Sequence, residues 1–137
     1  MSRIVSLCTL VALVSVGCAE RVPLHPLEGT VRYRGKTLPG AVVSFLPGQP
    51  VGDGRTVSVV CDADGQYRLG PNQPTGGLPA GTYRVAVTWR ELRRDGDEWL
   101  RTGRNLLPEK YSRPDSSGLQ VSVGPGAKEF AIDLTSP

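Results

Sequence analysis

Few side chains in this sequence could do chemistry, and their spacing narrows the choice. His25 is the only histidine among 137 residues, so a zinc centre or a Ser–His–Asp arrangement has almost nothing to build on. Between Pro23 and Pro26 it reads as an exposed linker residue. Asp62-Ala63-Asp64-Gly65 sets two carboxylates two residues apart before a glycine, the opening a calcium loop needs. A third oxygen ligand should follow two residues on, with a bidentate glutamate at the loop's twelfth position. Gln66 and Tyr67 follow instead, and no glutamate closes the loop. The same residues suit a tight turn, because Asp bonds its own backbone and Gly accepts a positive φ. Four aromatic side chains, Tyr83, Trp89, Trp99 and Tyr111, could stack on a sugar ring. Tyr83 and Trp89 alternate in step with Val85 and Val87 and belong to a core face. Trp99 and Tyr111 stand in a charged segment and are the candidate contact residues for a partner or a sugar, beside the alternative that they pack that segment onto the body.

The N-terminal segment carries a different chemistry. Arg3 precedes an apolar run over residues 4–16, interrupted by Ser6, Cys8, Thr9 and Ser15. About 13 residues are too few to cross a bilayer core as a helix. A basic start, an apolar centre and a small-residue end describe a secretory signal peptide. Its end, Ser15-Val16-Gly17-Cys18, resembles a bacterial lipobox, with Ser15 where leucine is usual. The resemblance implies that the Cys18 thiol is diacylated, by palmitate or similar chains, and that the bond before it is cut. Two acyl chains, at about 0.8 kcal/mol per buried CH₂, anchor a protein stably. The expected organisation is a signal over 1–17, a tether over 18–26 and a folded domain over 27–137. Ala19, in a position where some bacteria use Asp to retain lipoproteins at the inner membrane, favours the outer membrane. The alternative is an ordinary secretory signal cut near Ala19. Cys8 then leaves with the signal and Cys61 is left alone; without acylation, a Cys18–Cys61 disulfide is the remaining possibility.

Composition fixes the broad class. Seventeen Gly and 12 Pro make up about a fifth of the chain, against roughly an eighth in ordinary proteins, and they fall between short apolar runs. The mature length suffices for one core. The net charge of +3, from 16 basic and 13 acidic residues, is too small to imply nucleic acid. A local arginine bias (Arg90, Arg93, Arg94, Arg101, Arg104) is interleaved with Glu91, Asp95, Asp97 and Glu98 and reads as a solvated segment, with an anionic-ligand patch as the alternative.

The elements that must position these residues are strands. Leu27, Gly29, Val31 and Tyr33 alternate with Glu28, Thr30, Arg32 and Arg34, a half-buried strand. Turns at Gly35-Lys36 and Leu38-Pro39-Gly40 lead to strands over 41–46, 56–61 and 66–69, then 82–89, the most regular of them. Residues 90–117 show no sustained period and read as a long charged connection with a short helical turn around 98–101. Such connections are uncommon in compact domains and are often functional. Strands over 119–123 and 129–134, joined through Gly124-Pro125-Gly126, close the chain. Seven short strands with regular turns predict an all-β, seven-stranded antiparallel sandwich.

Four segments in order carry a family resemblance: Gly29-Thr30-Val31 with Gly35-Lys36 and Leu38-Pro39-Gly40-Ala41; Asp62-Ala63-Asp64-Gly65-Gln66-Tyr67; Leu78-Pro79-Ala80-Gly81-Thr82-Tyr83; and Pro108-Glu109-Lys110-Tyr111 before Ser117-Gly118-Leu119. Together they resemble the carboxypeptidase regulatory-like domain, a transthyretin-like sandwich, in its single-domain form from bacterial envelope lipoproteins. Cys61 departs from the family, which more often has Thr or Ser there. The resemblance implies an accessory, adhesive or carbohydrate-contacting module without catalytic residues, metal or cofactor. Tyr33-Arg34-Gly35-Lys36 echoes a string of the related hydroxyisourate hydrolases, but it lies near the domain's start and lacks the final Ser. The expected partners are a membrane, through the lipid on Cys18, and an envelope protein or polysaccharide. A carbohydrate-binding module using Trp99 and Tyr111 is the second reading.

Overall fold

The computed structural model of the chain describes residues 23–48, 55–70, 72–73, 76–126 and 128–136. Cys18, the expected signal and the first part of the expected tether lie outside these residues. Among these residues thirteen short strands follow one another: β1 (Leu24–His25), β2 (Leu27–Tyr33), β3 (Lys36–Thr37), β4 (Val42–Pro47), β5 (Val57–Val60), β6 (Gln66–Leu69), β7 (Leu78–Pro79), β8 (Gly81–Thr88), β9 (Arg90–Asp95), β10 (Glu98–Asn105), β11 (Leu119–Val123), β12 (Lys128–Glu129) and β13 (Ile132–Leu134). A 3₁₀ turn at Glu109–Ser112 and a one-turn helix, α1 (Pro114–Ser117), precede β11.

The protein is an all-β sandwich. One sheet has the order β11-β8-β4-β5 and is antiparallel throughout. The other is built on β2, with β6 and β3 antiparallel along one edge. Along the other edge β12 and β13 run parallel to β2. The terminal strands therefore depart from the expected antiparallel sense. The Gly124-Pro125-Gly126 stretch leads from β11 in one sheet to β12 in the other, so it does not close a hairpin.

Alternation along each strand fills the space between the sheets. Leu27, Val31, Tyr67, Leu69, Ile132 and Leu134 from the β2 sheet meet Val43, Phe45, Val59, Tyr83, Val85, Val87, Val121 and Val123 from the other, and all are buried. The Phe45 and Tyr67 rings join the layers with centroids 5.9 Å apart, tilted by 51°. Burying each such side chain contributes about 1.5–3 kcal/mol. The phenolic hydroxyls are not stranded: Tyr67 donates to Phe130 O at 2.5 Å and Tyr83 to Pro79 O at 2.6 Å.

The turn at residues 62–65 forms as its residue types demand. Asp62 Oδ1 accepts from Asp64 N at 2.9 Å and Gln66 N at 3.0 Å, and Gly65 has φ +74°. Cys61 just before it is buried at 4% exposure. Burial pushes its thiol up to about 12, with the Asp62 carboxylate adding to the shift.

Residues 90–117 are not a structureless connection. Most of the segment is a two-stranded ribbon, β9 paired antiparallel with β10 around a two-residue turn at Gly96–Asp97, and the helical turn expected around 98–101 lies within β10. The physical reason is burial. Most ribbon residues on both sides are exposed, so no apolar alternation was selected and the period-two signal vanished. The helical turns come later: α1 covers the outer face of β8, where Ser117 Oγ donates to Val85 O and Arg84 pairs with Asp115.

Candidate functional site

Among the described residues β9 and β10 pair only with each other, so the ribbon projects from the sandwich and is held at its base. Asn105 Oδ1 accepts from Trp89 N at 3.0 Å and Leu107 N at 3.3 Å, and Leu106 N donates to Trp89 O at 2.8 Å. The Trp89 indole N–H donates to Pro39 O at 2.8 Å, fixing a half-buried ring beneath the ribbon. The Arg101 guanidinium carbon lies 5.1 Å from that ring's centroid, and its Nη1 donates to Arg90 O at 3.0 Å. It also passes so close to Gly40 that a Cβ there would stand 2.4 Å from Arg101 Nε. Gly40 has φ +75°, which favours glycine, and a side chain there would make Arg101 shift.

Beyond this base the ribbon is sorted by side. Directly opposed residues in a ladder point the same way. Trp99 opposes Arg94 and Arg101 opposes Leu92, so Arg90, Leu92, Arg94, Trp99 and Arg101 share one side. Leu100 opposes Arg93 and Glu98 opposes Asp95, which places Glu91, Arg93, Asp95, Glu98 and Leu100 on the other. In the ladder the first side holds three arginines and no carboxylate; the second holds three carboxylates with Arg93 and with Arg104, which pairs with Glu91. Trp99 is 64% exposed and Leu92 50%. Arg94 donates to Gly96 O at 3.0 Å and lies 4.0 Å from the Asp97 carboxylate in the turn. Arg104 pairs with Glu91 at 3.1 Å. Exposed pairs of this kind contribute about 0–1 kcal/mol, so they orient side chains more than they stabilise the ribbon.

The residues singled out from sequence separate in space. Trp99 is in solvent on the ribbon. Tyr111 is buried at 5% exposure in the core cluster, so it offers no ring face to a ligand and is corrected to a packing residue. Its hydroxyl donates to Thr135 O at 3.1 Å and accepts from Thr135 N at 3.0 Å, tying the 3₁₀ turn to the end of β13. A shared Trp99–Tyr111 platform therefore does not exist. Leu92, Leu100 and the position of Arg94 opposite Trp99 were missed; the Asp95-Gly96-Asp97 run, which holds a two-residue hairpin turn, was the signal that could have found them. His25 is partly buried in β1, which pairs with β7, so it is part of the fold's edge and not a free linker. Among the described residues no group of three or more His, Cys, Asp or Glu side chains is placed to hold a metal ion, and no helix is long and apolar enough to cross a membrane.

The ribbon and β1 lie toward opposite ends of β8. β1 pairs with β7, which leads into the start of β8 at Gly81. The ribbon departs from the other end of β8, after Thr88. Eight strand residues separate the two by about 25 Å at a rise of ~3.3 Å each.

No family model matches the chain, and no curated protein sequence matches it. Among solved structures it is similar to a DUF3823 family protein from Parabacteroides merdae (19% identity, 84% of this chain and 47% of that one, TM-score 0.45). It is also similar to the major pilin subunit of Bacillus cereus (16%, 82% and 29%, TM-score 0.47). A third is a candidate carbohydrate-binding protein of Pseudomonas aeruginosa (14%, 85% and 91%, TM-score 0.46). The chain thus spans about half of the first of these proteins and under a third of the second.

Proposed function

We propose that the chain is a non-catalytic interaction module of the cell envelope, held to the outer membrane by acyl chains on Cys18, with the β9–β10 ribbon as the element that meets its partner. The ribbon carries this reading. Among the described residues it pairs with nothing but itself, is fixed at its base by Trp89, Asn105 and Arg101, and holds Leu92, Trp99 and Leu100 in solvent. Exposed apolar side chains gathered on one element mark a contact surface more often than single scattered ones do. The anchor rests on Ser15-Val16-Gly17-Cys18. An anchor joined through residues 19–23 would enter the sandwich at the end remote from the ribbon and direct the ribbon away from the membrane.

The test is intact mass of the protein from native membranes, with membrane fractionation, beside a Cys18→Ser variant. The expected product is a chain beginning at Cys18 with added acyl chains, in the outer-membrane fraction, with both lost in the variant. An unacylated soluble product overturns the anchor. Deleting 93–104 without changing what co-purifies overturns the ribbon's role.

A further inference from the structure

We infer that the side of the ribbon bearing Arg90, Leu92, Arg94, Trp99 and Arg101 binds an acidic polysaccharide, with Trp99 stacked on a sugar ring and Arg94 pairing with a carboxylate of the polymer. This rests on the reading of the ribbon as the contact element and names the chemistry of its partner.

Charge complementarity is the first support. Although arginines and carboxylates are interleaved along the sequence, the register sorts those of the ladder, leaving one side with Arg90, Arg94 and Arg101 and with no carboxylate but Asp97 in the turn beside Arg94. Trp99 stands on that side, directly opposite Arg94. Arg94 donates through Nε to Gly96 O and lies 4.0 Å from the exposed Asp97 carboxylate, a loose pair that a carboxylate of the polymer would replace beside the ring. Arginine suits this role because its planar fork matches a carboxylate in a bidentate pair. A pyranose ring offers an apolar C–H face to an aromatic ring and hydroxyls to its surroundings, while uronate units add a negative charge at each repeat.

Size discriminates among occupants. The ladder from Arg90 to Asp95 is six residues, about 20 Å long, and two strands with their side chains are about 10 Å wide. That is a strip of about 200 Å², far below the ~800 Å² per partner of a stable protein interface. A single linear glycan lies along a strip of this shape. One tryptophan and one leucine also give little apolar surface for entry into a bilayer. Each contact is weak, and repeated units on the polymer meeting many copies of the protein supply the strength.

The Cys18→Ser chain, whose sandwich and ribbon are unaltered, is titrated with alginate and polygalacturonate, with neutral dextran and with phosphatidylglycerol vesicles, at about 50 mM salt so that screening stays modest. The expected result is binding to the two uronate polymers and not to dextran. Trp99→Ala and Arg94→Glu each weaken it by about tenfold or more, a loss of about 1.4 kcal/mol. Arg93→Glu, on the opposite side, leaves it unchanged, and all three variants keep the parent melting temperature. No retention of either polymer overturns the proposal. So does an Arg93→Glu loss equal to that of Arg94→Glu, which would reduce the effect to net charge, and so does tighter binding to vesicles than to the polymers. Acylation of Cys18 is read separately by mass, so failure here with an acylated native chain removes the polysaccharide and leaves the envelope reading standing.

Discussion

Arg101 stacks on Trp89, 5.1 Å from the ring centroid, and through this one pair a side chain of the ribbon is joined to a residue that packs against the sandwich core. The pair sits over Gly40, and the indole is itself fixed by Pro39 O. The ribbon's orientation thus depends on a cation, a ring and a missing side chain.

Arg101→Ala is expected to loosen the ribbon without unfolding the sandwich. Cation–π pairs at such partly exposed sites contribute about 0.5–1 kcal/mol, so the melting temperature should fall slightly. Trypsin cleavage after Arg93 and Arg94 should accelerate several-fold. A double-mutant cycle with Trp89→Leu measures the coupling, and a coupling of zero would show that the stack orients nothing.

Gly65→Val should destabilise the domain by more than about 1 kcal/mol, because a β-branched residue at φ +74° is strained and its Cβ would stand 2.9 Å from both Leu38 N and Thr37 Cβ. Urea denaturation reads this directly. An unchanged midpoint would mean the turn is drawn wrongly.

Tyr111→Phe should cost about 1–2 kcal/mol, since it removes a donor to Thr135 O and leaves Thr135 N–H without its partner. Trp99→Ala, by contrast, should stay within about 0.5 kcal/mol of the parent. The same denaturation series checks both, and equal effects would contradict the division into a packing residue and a surface residue.

The Cys61 thiol should be inert to a thiol reagent in the folded protein at pH 8 and react fully in denaturant, because burial keeps it protonated. The same shift sets a pH dependence. The folded chain holds this proton up to about pH 12, while an unfolded cysteine releases it near pH 9. Unfolding therefore releases a proton above pH 9, so this contribution to stability is complete below about pH 9 and is lost as pH rises toward 12. Burial of the Tyr67 phenol acts in the same direction. Stability measured from pH 8 to 11 should fall more steeply in the parent than in Cys61→Ala.

Strands with one buried side were legible in the sequence because burial writes an alternation into it. Thr82 to Trp89 showed this best, and the structure buries Tyr83, Val85 and Val87 as the pattern requires. Turn chemistry was equally readable at residues 62–65. The ribbon was hidden for the converse reason: with both sides in solvent its residues answer to no core, and charges fill both faces. For Tyr111 the packing alternative holds, and the sequence left it open because the residues on either side are polar. Its burial comes from β8 and the end of β13, elements distant in sequence. The parallel sense of β12 and β13 depends on which sheet receives the chain after β11, and no local residue pattern specifies that.

The placement of the two ends of the sandwich has a mechanical consequence. A protein held through its N-terminal segment and gripped by its ribbon would be pulled along the strand axes, β2 toward one end and β8 toward the other. Load of that kind shears the ladders, so the hydrogen bonds of β8 with β4 and β11 resist together, where a pull across the sheet would peel them open one at a time.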